Sequence, residues 1–157
     1  FTIDVLIINC SIFAMQTFMP YADYKESAKV LDQKRLGKQR VEVLQLLNSI
    51  STIKKGLPVR GWANHPCRKM WQQYSNSLVE YGLAICDEWK SRGYKDTCWD
   101  KIHAHWDYTE KNDMPWFIGD EKFHLSHKSM LIQKKPEHYK KFWPDVPDNL
   151  EYIWPTV

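Results

Sequence analysis

Between residues 32 and 42 the chain reads Asp-Gln-Lys-Arg-Leu-Gly-Lys-Gln-Arg-Val-Glu. Four cations, Lys34, Arg35, Lys38 and Arg40, fall within seven residues and are followed by Glu42. On a helix Lys34, Lys38 and Glu42 share one face at i, i+4 spacing, with Arg35 beside them. Such a face can bind phosphates through charge and through arginine forks. The same spacing also suits a solvated face of intrahelical Lys–Glu pairs. A second set lies near the C-terminus. His127, Lys128, Lys134, Lys135, His138, Tyr139, Lys140, Lys141, Phe142 and Trp143 interleave cations with rings. Cations can track phosphates while rings stack on bases; alternatively the rings fill a core and the lysines keep the surface solvated.

The histidines and cysteines point to no metal. His103 and His105 are two apart, which a helix separates by about 200°. His124 and His127 share a face and could bind a metal with Cys98 or Glu121, but no spacing rule demands it. Cys10, Cys67, Cys86 and Cys98 form no C-x-x-C pair and read as buried, reduced thiols. No G-x-S-x-G, glycine-rich phosphate loop, HExxH or paired metal carboxylates appear, so the hydrolase, kinase and dinucleotide-enzyme classes lack support.

These residues need a scaffold, and the remaining sequence predicts a helical one. The 157 residues suffice for one domain with a real core. Apolar residues make 43%, charged residues 26%, and 22 basic against 19 acidic residues leave a net charge of +3. This excludes a disordered tail or a disulfide miniprotein. No apolar run reaches the roughly 18 residues of a spanning helix. With 14% aromatics and eight tryptophans, a mildly basic helical domain suits an anionic partner with flat rings, such as nucleic acid.

Residues 1–14 are apolar with one charge, Asp4, and read as upstream sequence before a chain starting at Met15; an edge strand is the alternative. Asp23 and Glu26 resemble a capping box. Apolar spacing from Ala28 to Ile50 predicts helix, with a kink or break allowed at Gly37. Residues 51–61 read as a loop. Asn64 caps a helix with Pro66 in its first turn. Met70, Trp71, Tyr74, Leu78, Tyr81, Ile85 and Trp89 line its apolar face until Gly93, so that it spans about 28 residues, or roughly 42 Å. This long helix is expected as the spine. Residues 97–110 predict a shorter helix, Asp120 caps one running to about Lys134, Pro136 opens another turn or two, and the tail from Pro144 is an aromatic strap. The expected fold is all-α, a single compact domain over residues 15–157.

Taken together, LDQKRLGKQRVEVL, the Asn64-His65 helix start, AICDEWKSRGYKDT and FHLSHKSMLIQKKPEHYKKFW resemble the pyrimidine-dimer DNA glycosylase family, to which phage endonuclease V belongs. The opening MQTFMPY is similar to one branch of it. The resemblance implies a DNA-repair enzyme, an N-glycosylase with AP-lyase activity on pyrimidine dimers or another damaged base. It implies double-stranded DNA as partner, no metal or organic cofactor, a monomer, no membrane attachment and a cytoplasmic, DNA-associated location. In that chemistry a backbone amine attacks the sugar C1′. An α-amine, with a pKa of about 7.7–8.0 against about 10.4 for lysine, is far more often neutral near pH 7.

The resemblance assigns catalysis to Glu42 and to the amine of Met15. Because Gln16 is bulky, Met15 is expected to be retained, and Lys34 or Lys38 is the alternative nucleophile. It assigns DNA contacts to Gln16, Lys34, Arg35, Lys38, Arg40, His65, Arg68, His127 and Lys128. Two other readings stay open: a noncatalytic helical nucleic-acid-binding module, and an enzyme acting on a modified base.

Overall fold

The Asp23 carboxylate accepts from the backbone N–H groups of Lys25 and Glu26 and so starts the first helix, α1, Tyr24–Val30. Asp32 repeats the device after α1 ends, accepting from Arg35 N–H to open α2, Gln33–Lys54. This geometry comes from a computed structural model, which describes residues 16–58 and 65–155. The leader 1–14, Met15 and Asn64 lie outside the described residues.

Among the described residues the structure is helical with no strand. After α2 come α3, Pro66–Trp71; α4, Ser75–Ser91; α5, Trp99–His103; α6, Glu121–Lys134; and α7, Pro136–Tyr139. Asp120 caps α6, Pro136 opens α7, and Gly93 follows α4 with φ of 92°, all at the positions expected from sequence. None of these helices is long and apolar enough to cross a membrane.

Three expectations are corrected. The long helix is two helices. Tyr74, at φ −130° and ψ 41°, leaves helical geometry between α3 and α4, and its N–H closes a turn onto Trp71 C=O at 2.8 Å. The apolar stripe hid the break because Trp71, Leu78, Tyr81 and Ile85 are buried on both sides of it. The longest described helix is instead α2, with 22 residues, and it runs through Gly37 unbroken to Lys54, into the span read as a loop. Finally, only Trp99–His103 is helical in the span 97–110. Beyond it the Asp107 carboxylate accepts from Thr109 N–H and from the Thr109 hydroxyl. Asn76 of α4 receives Asp107 N–H and donates to Asp107 C=O. These local bonds compete with helix for the same backbone.

The buried apolar side chains form one cluster fed by all seven described helices and by Tyr152 of the tail. The closest packing is α2 on α4. Gly82 of α4 permits it: a Cβ there would lie 2.7 Å from Val43 Cγ1 of α2 and 3.1 Å from Ile102 Cγ2 of α5. The tail is extended, as expected. Leu150 N–H and Ile153 N–H donate to Ser129 Oγ and Ser126 Oγ of α6. Cys67, Cys86 and Cys98 are free, buried thiols.

Gly82→Ala is expected to destabilise the protein by about 1–3 kcal/mol, the usual range for overpacking. Chemical denaturation checks this, and wild-type stability would show that α4 can shift away from α2.

Candidate active site

Residues 16–19 run extended through the core. Gln16 is 6% exposed, and Thr17, Phe18 and Met19 are fully buried. Buried peptide groups need partners, and among the described residues side chains provide them. Gln39 Nε2 of α2 donates to Gln16 C=O at 2.6 Å. The Tyr81 hydroxyl of α4 accepts from Phe18 N–H at 3.0 Å and lies 2.9 Å from Phe18 C=O. The Tyr152 hydroxyl of the tail donates to Thr17 C=O at 2.6 Å. His127 Nδ1 of α6 accepts from Met19 N–H at 2.9 Å, and His124 Nδ1 donates to Met19 C=O at 2.7 Å. Trp71 Nε1 of α3 donates to Thr17 Oγ1 at 3.2 Å.

These bonds fix the histidine tautomers. His124 Nε2 accepts from Gly119 N–H, so its proton sits on Nδ1. His127 must carry its proton on Nε2. Burial holds the imidazolium form of both below its ordinary range, and His127 well below it. His127 also stacks on Tyr152, with ring centroids 4.3 Å apart.

The segment points its first described nitrogen at Glu42. Gln16 N–H lies 3.4 Å from Glu42 Oε2, which also accepts from Gln39 Nε2 at 3.2 Å. Glu42 is 5% exposed, and its Oε1 has no hydrogen-bond partner. Burial pushes its carboxyl above the ordinary carboxylate value; Lys38, Arg35 and the Gln16 N–H pull it back only in part. The Lys38 ammonium is 3.8 Å from Oε1, but its side chain is 53% exposed, so solvent screens the pair. A carboxyl raised in this way holds its proton to higher pH than a solvated one, which suits a group that relays protons.

The expected DNA contacts separate into groups. Lys34, Arg35 and Lys38 line one cavity at the start of α2, and the Arg35 guanidinium lies 4.9 Å over the Phe18 ring. Gln16 abuts Glu42 rather than the surface. Arg40 points elsewhere: it pairs with Asp96 at 2.5 Å and covers the Trp89 ring at 4.5 Å. Burial pushes the Asp96 carboxyl up, but hydrogen bonds from Arg40, Trp99 N–H and Cys98 N–H outweigh this and leave it below the ordinary value. His127 is buried and engaged with Met19, and His65 is 2% exposed, capping α3 through Cys67 N–H. Both hold the fold. Arg68 of α3 donates to Gln72 Oε1 and lines a separate cavity with Trp154. The Lys128 ammonium sits 5.1 Å over the Tyr21 ring. Met15 lies outside the described residues.

Sequence reasoning passed over Gln39, Tyr81, His124 and Tyr152 as site-builders. Only Gln39 carried a signal, three residues before Glu42 on the same helix face. The others looked like core or unassigned polar residues.

A dry carboxyl beside a backbone nitrogen, with cations at its edge, suits proton transfer next to an anionic substrate. Residues 15–102 match the family described as pyrimidine dimer DNA glycosylase. The match covers more than half of the 157 residues, and the chain belongs to this family of DNA-repair glycosylases. No curated protein and no solved structure matches the chain.

Glu42→Gln should keep the acceptor for Gln16 and Gln39 while removing the titration. A carboxyl raised in the folded state binds its proton more tightly there than when unfolded. Its contribution is therefore complete below about pH 4.5 and is lost as pH rises through the folded value. The variant should gain stability relative to wild type as pH rises through that window. Thermal unfolding of both proteins from pH 4 to 8 checks this; parallel curves would mean that Glu42 titrates normally.

Proposed function

We propose that the chain is a DNA N-glycosylase with AP-lyase activity, acting as a monomer on double-stranded DNA that carries a pyrimidine dimer or another damaged base. The observation that carries this reading is the Gln16 nitrogen, held 3.4 Å from the buried Glu42 carboxyl. Family membership supports the substrate class.

In the proposed reaction a neutral α-amine attacks the sugar C1′. The N–C1′ bond forms as the C1′–base bond breaks, and the base leaves with a proton. Ring opening gives an imine. Loss of a C2′ proton then expels the 3′ phosphate and cuts the strand. Glu42 stabilises the positive charge developing on the sugar and relays protons. As a peptide nitrogen, Gln16 N cannot attack. The chemistry therefore needs a polypeptide beginning at Gln16, or at Met15, the residue before it. Lys34 and Lys38 are the lysine alternatives. Arg35 and Lys38 hold phosphates near the sugar.

Protein starting at Met15, mixed with a duplex containing one abasic site and borohydride, should give a covalent adduct. Peptide mapping should place it on residue 15 or 16. Glu42→Gln should slow adduct formation by about 10²–10⁴-fold while retaining DNA binding. An adduct on a lysine would reroute the mechanism, and no adduct from protein that binds DNA would leave a noncatalytic binding module.

A further inference from the structure

The cavity that holds Lys34, Arg35 and Lys38 has a second wall. It has a volume of about 420 Å³, and Lys134 and Lys135, at the end of α6, face the α2 cations across it. Neither lysine belongs to the family-matched stretch, which stops at residue 102. Among the described residues, the side chains of Lys34, Arg35, Lys134 and Lys135 make no ion pair and no hydrogen bond. Arg35 Nη1 is buried and has no acceptor.

Two carboxylates also line the cavity, Asp32 and Glu137. Asp32 is already engaged: it caps α2 through Arg35 N–H, and its Oδ1 accepts from the Tyr139 hydroxyl, which in turn accepts Asp32 N–H at 2.9 Å. That exchange pins α7, and with it the end of α6, to the start of α2. Glu137 is an exposed residue. The cations therefore outnumber the carboxylates five to two. Burial, with Arg35 and Lys38 nearby, holds the Lys134 ammonium below its ordinary range. Lys34, Lys38 and Lys134 are exposed and Arg35 and Lys135 half-buried. Clustered like charges with open donors therefore face the cavity at the N-terminal end of a 22-residue helix, and these electrostatics suit an anion.

We infer that this cavity seats a backbone phosphate of the DNA strand, gripped from one side by Arg35 and Lys38 and from the other by Lys134 and Lys135. The inference rests on the reading of the protein as a DNA-processing enzyme. It adds a role for α6: its last turn closes on the strand opposite α2. The two walls fix where that phosphate stands relative to Glu42. Tyr139 is a positioning residue, acting through Asp32.

The test is binding of the full chain to a duplex bearing one uncleavable tetrahydrofuran site, followed by anisotropy across a salt series. No chemistry occurs on this duplex, so the result does not depend on lyase activity. Each phosphate neutralised contributes about one unit to the slope of log K against log salt. Lys134→Gln with Lys135→Gln removes one wall of that single seat, and should lower the slope by up to about one and weaken binding on the order of tenfold at moderate salt. The double arginine variant should restore the slope. Lys101→Gln with Lys111→Gln, two exposed lysines that do not line the cavity, should leave it unchanged. A wild-type slope in the Lys134/Lys135 glutamine variant overturns the seat, as does an equal loss in the Lys101/Lys111 control. A reduced slope alongside failure of borohydride trapping in wild type keeps the seat and removes the lyase reading.

Discussion

The structure depends on one constraint: four residues of extended backbone, Gln16 to Met19, are buried with no sheet among the described residues to bond to. An unpaired buried peptide group costs about 1–3 kcal/mol. Six such groups here are met by Gln39, Tyr81, Tyr152, His124 and His127, with Glu42 as the neighbour of the Gln16 nitrogen. These partners come from α2, α4, α6 and the tail, so satisfying one strand of chain also ties four elements together. Apart from Glu42, the partners are uncharged in the states their bonds require. Burial enforces this by pushing the Tyr81 and Tyr152 hydroxyls up and the histidines down.

Charge is then divided by depth. The carboxyl lies inside and the cations lie at the edge of its pocket. Desolvation outweighs the attraction of Lys38 and Arg35 because Lys38 remains in solvent. A charge held in water is screened by it and so stabilises a buried partner only weakly. Were Lys38 buried beside Glu42, the pair would lock as an ion pair and the carboxyl would be held ionised; instead burial keeps it raised.

Much of the fold was legible because helix ends are written locally. Asp23, Asp32 and Asp120 cap, Pro136 starts a helix and Gly93 ends one. Glu42 and its cationic neighbours were legible as one helix face. The turn at Gln72–Tyr74 was not, because neither glutamine breaks a helix by type and the apolar spacing continues across it. The end of the 99–103 helix was also hidden, since it depends on Asn76 reaching Asp107 from a distant helix. Arg40 and His127 were legible as cationic or polar residues but not by their partners, because residue type carries no address. Their partners, Asp96 and Met19, are 56 and 108 residues away.

The family match ends at residue 102, yet the site does not. Gln39, Glu42 and Tyr81 lie within the matched stretch; His124, His127 and Tyr152 lie beyond it. The latter three satisfy Met19 C=O, Met19 N–H and Thr17 C=O. Without them, three buried peptide groups would lose their partners, a deficit of about 3–9 kcal/mol against a typical domain stability of about 5–15 kcal/mol. Water could relieve the deficit only by entering beside Phe18, which would free the segment whose first nitrogen faces Glu42. The C-terminal helices and strap are therefore part of what builds the Glu42 pocket: they hold the backbone of residues 16–19, and that hold fixes the Gln16 nitrogen against the carboxyl.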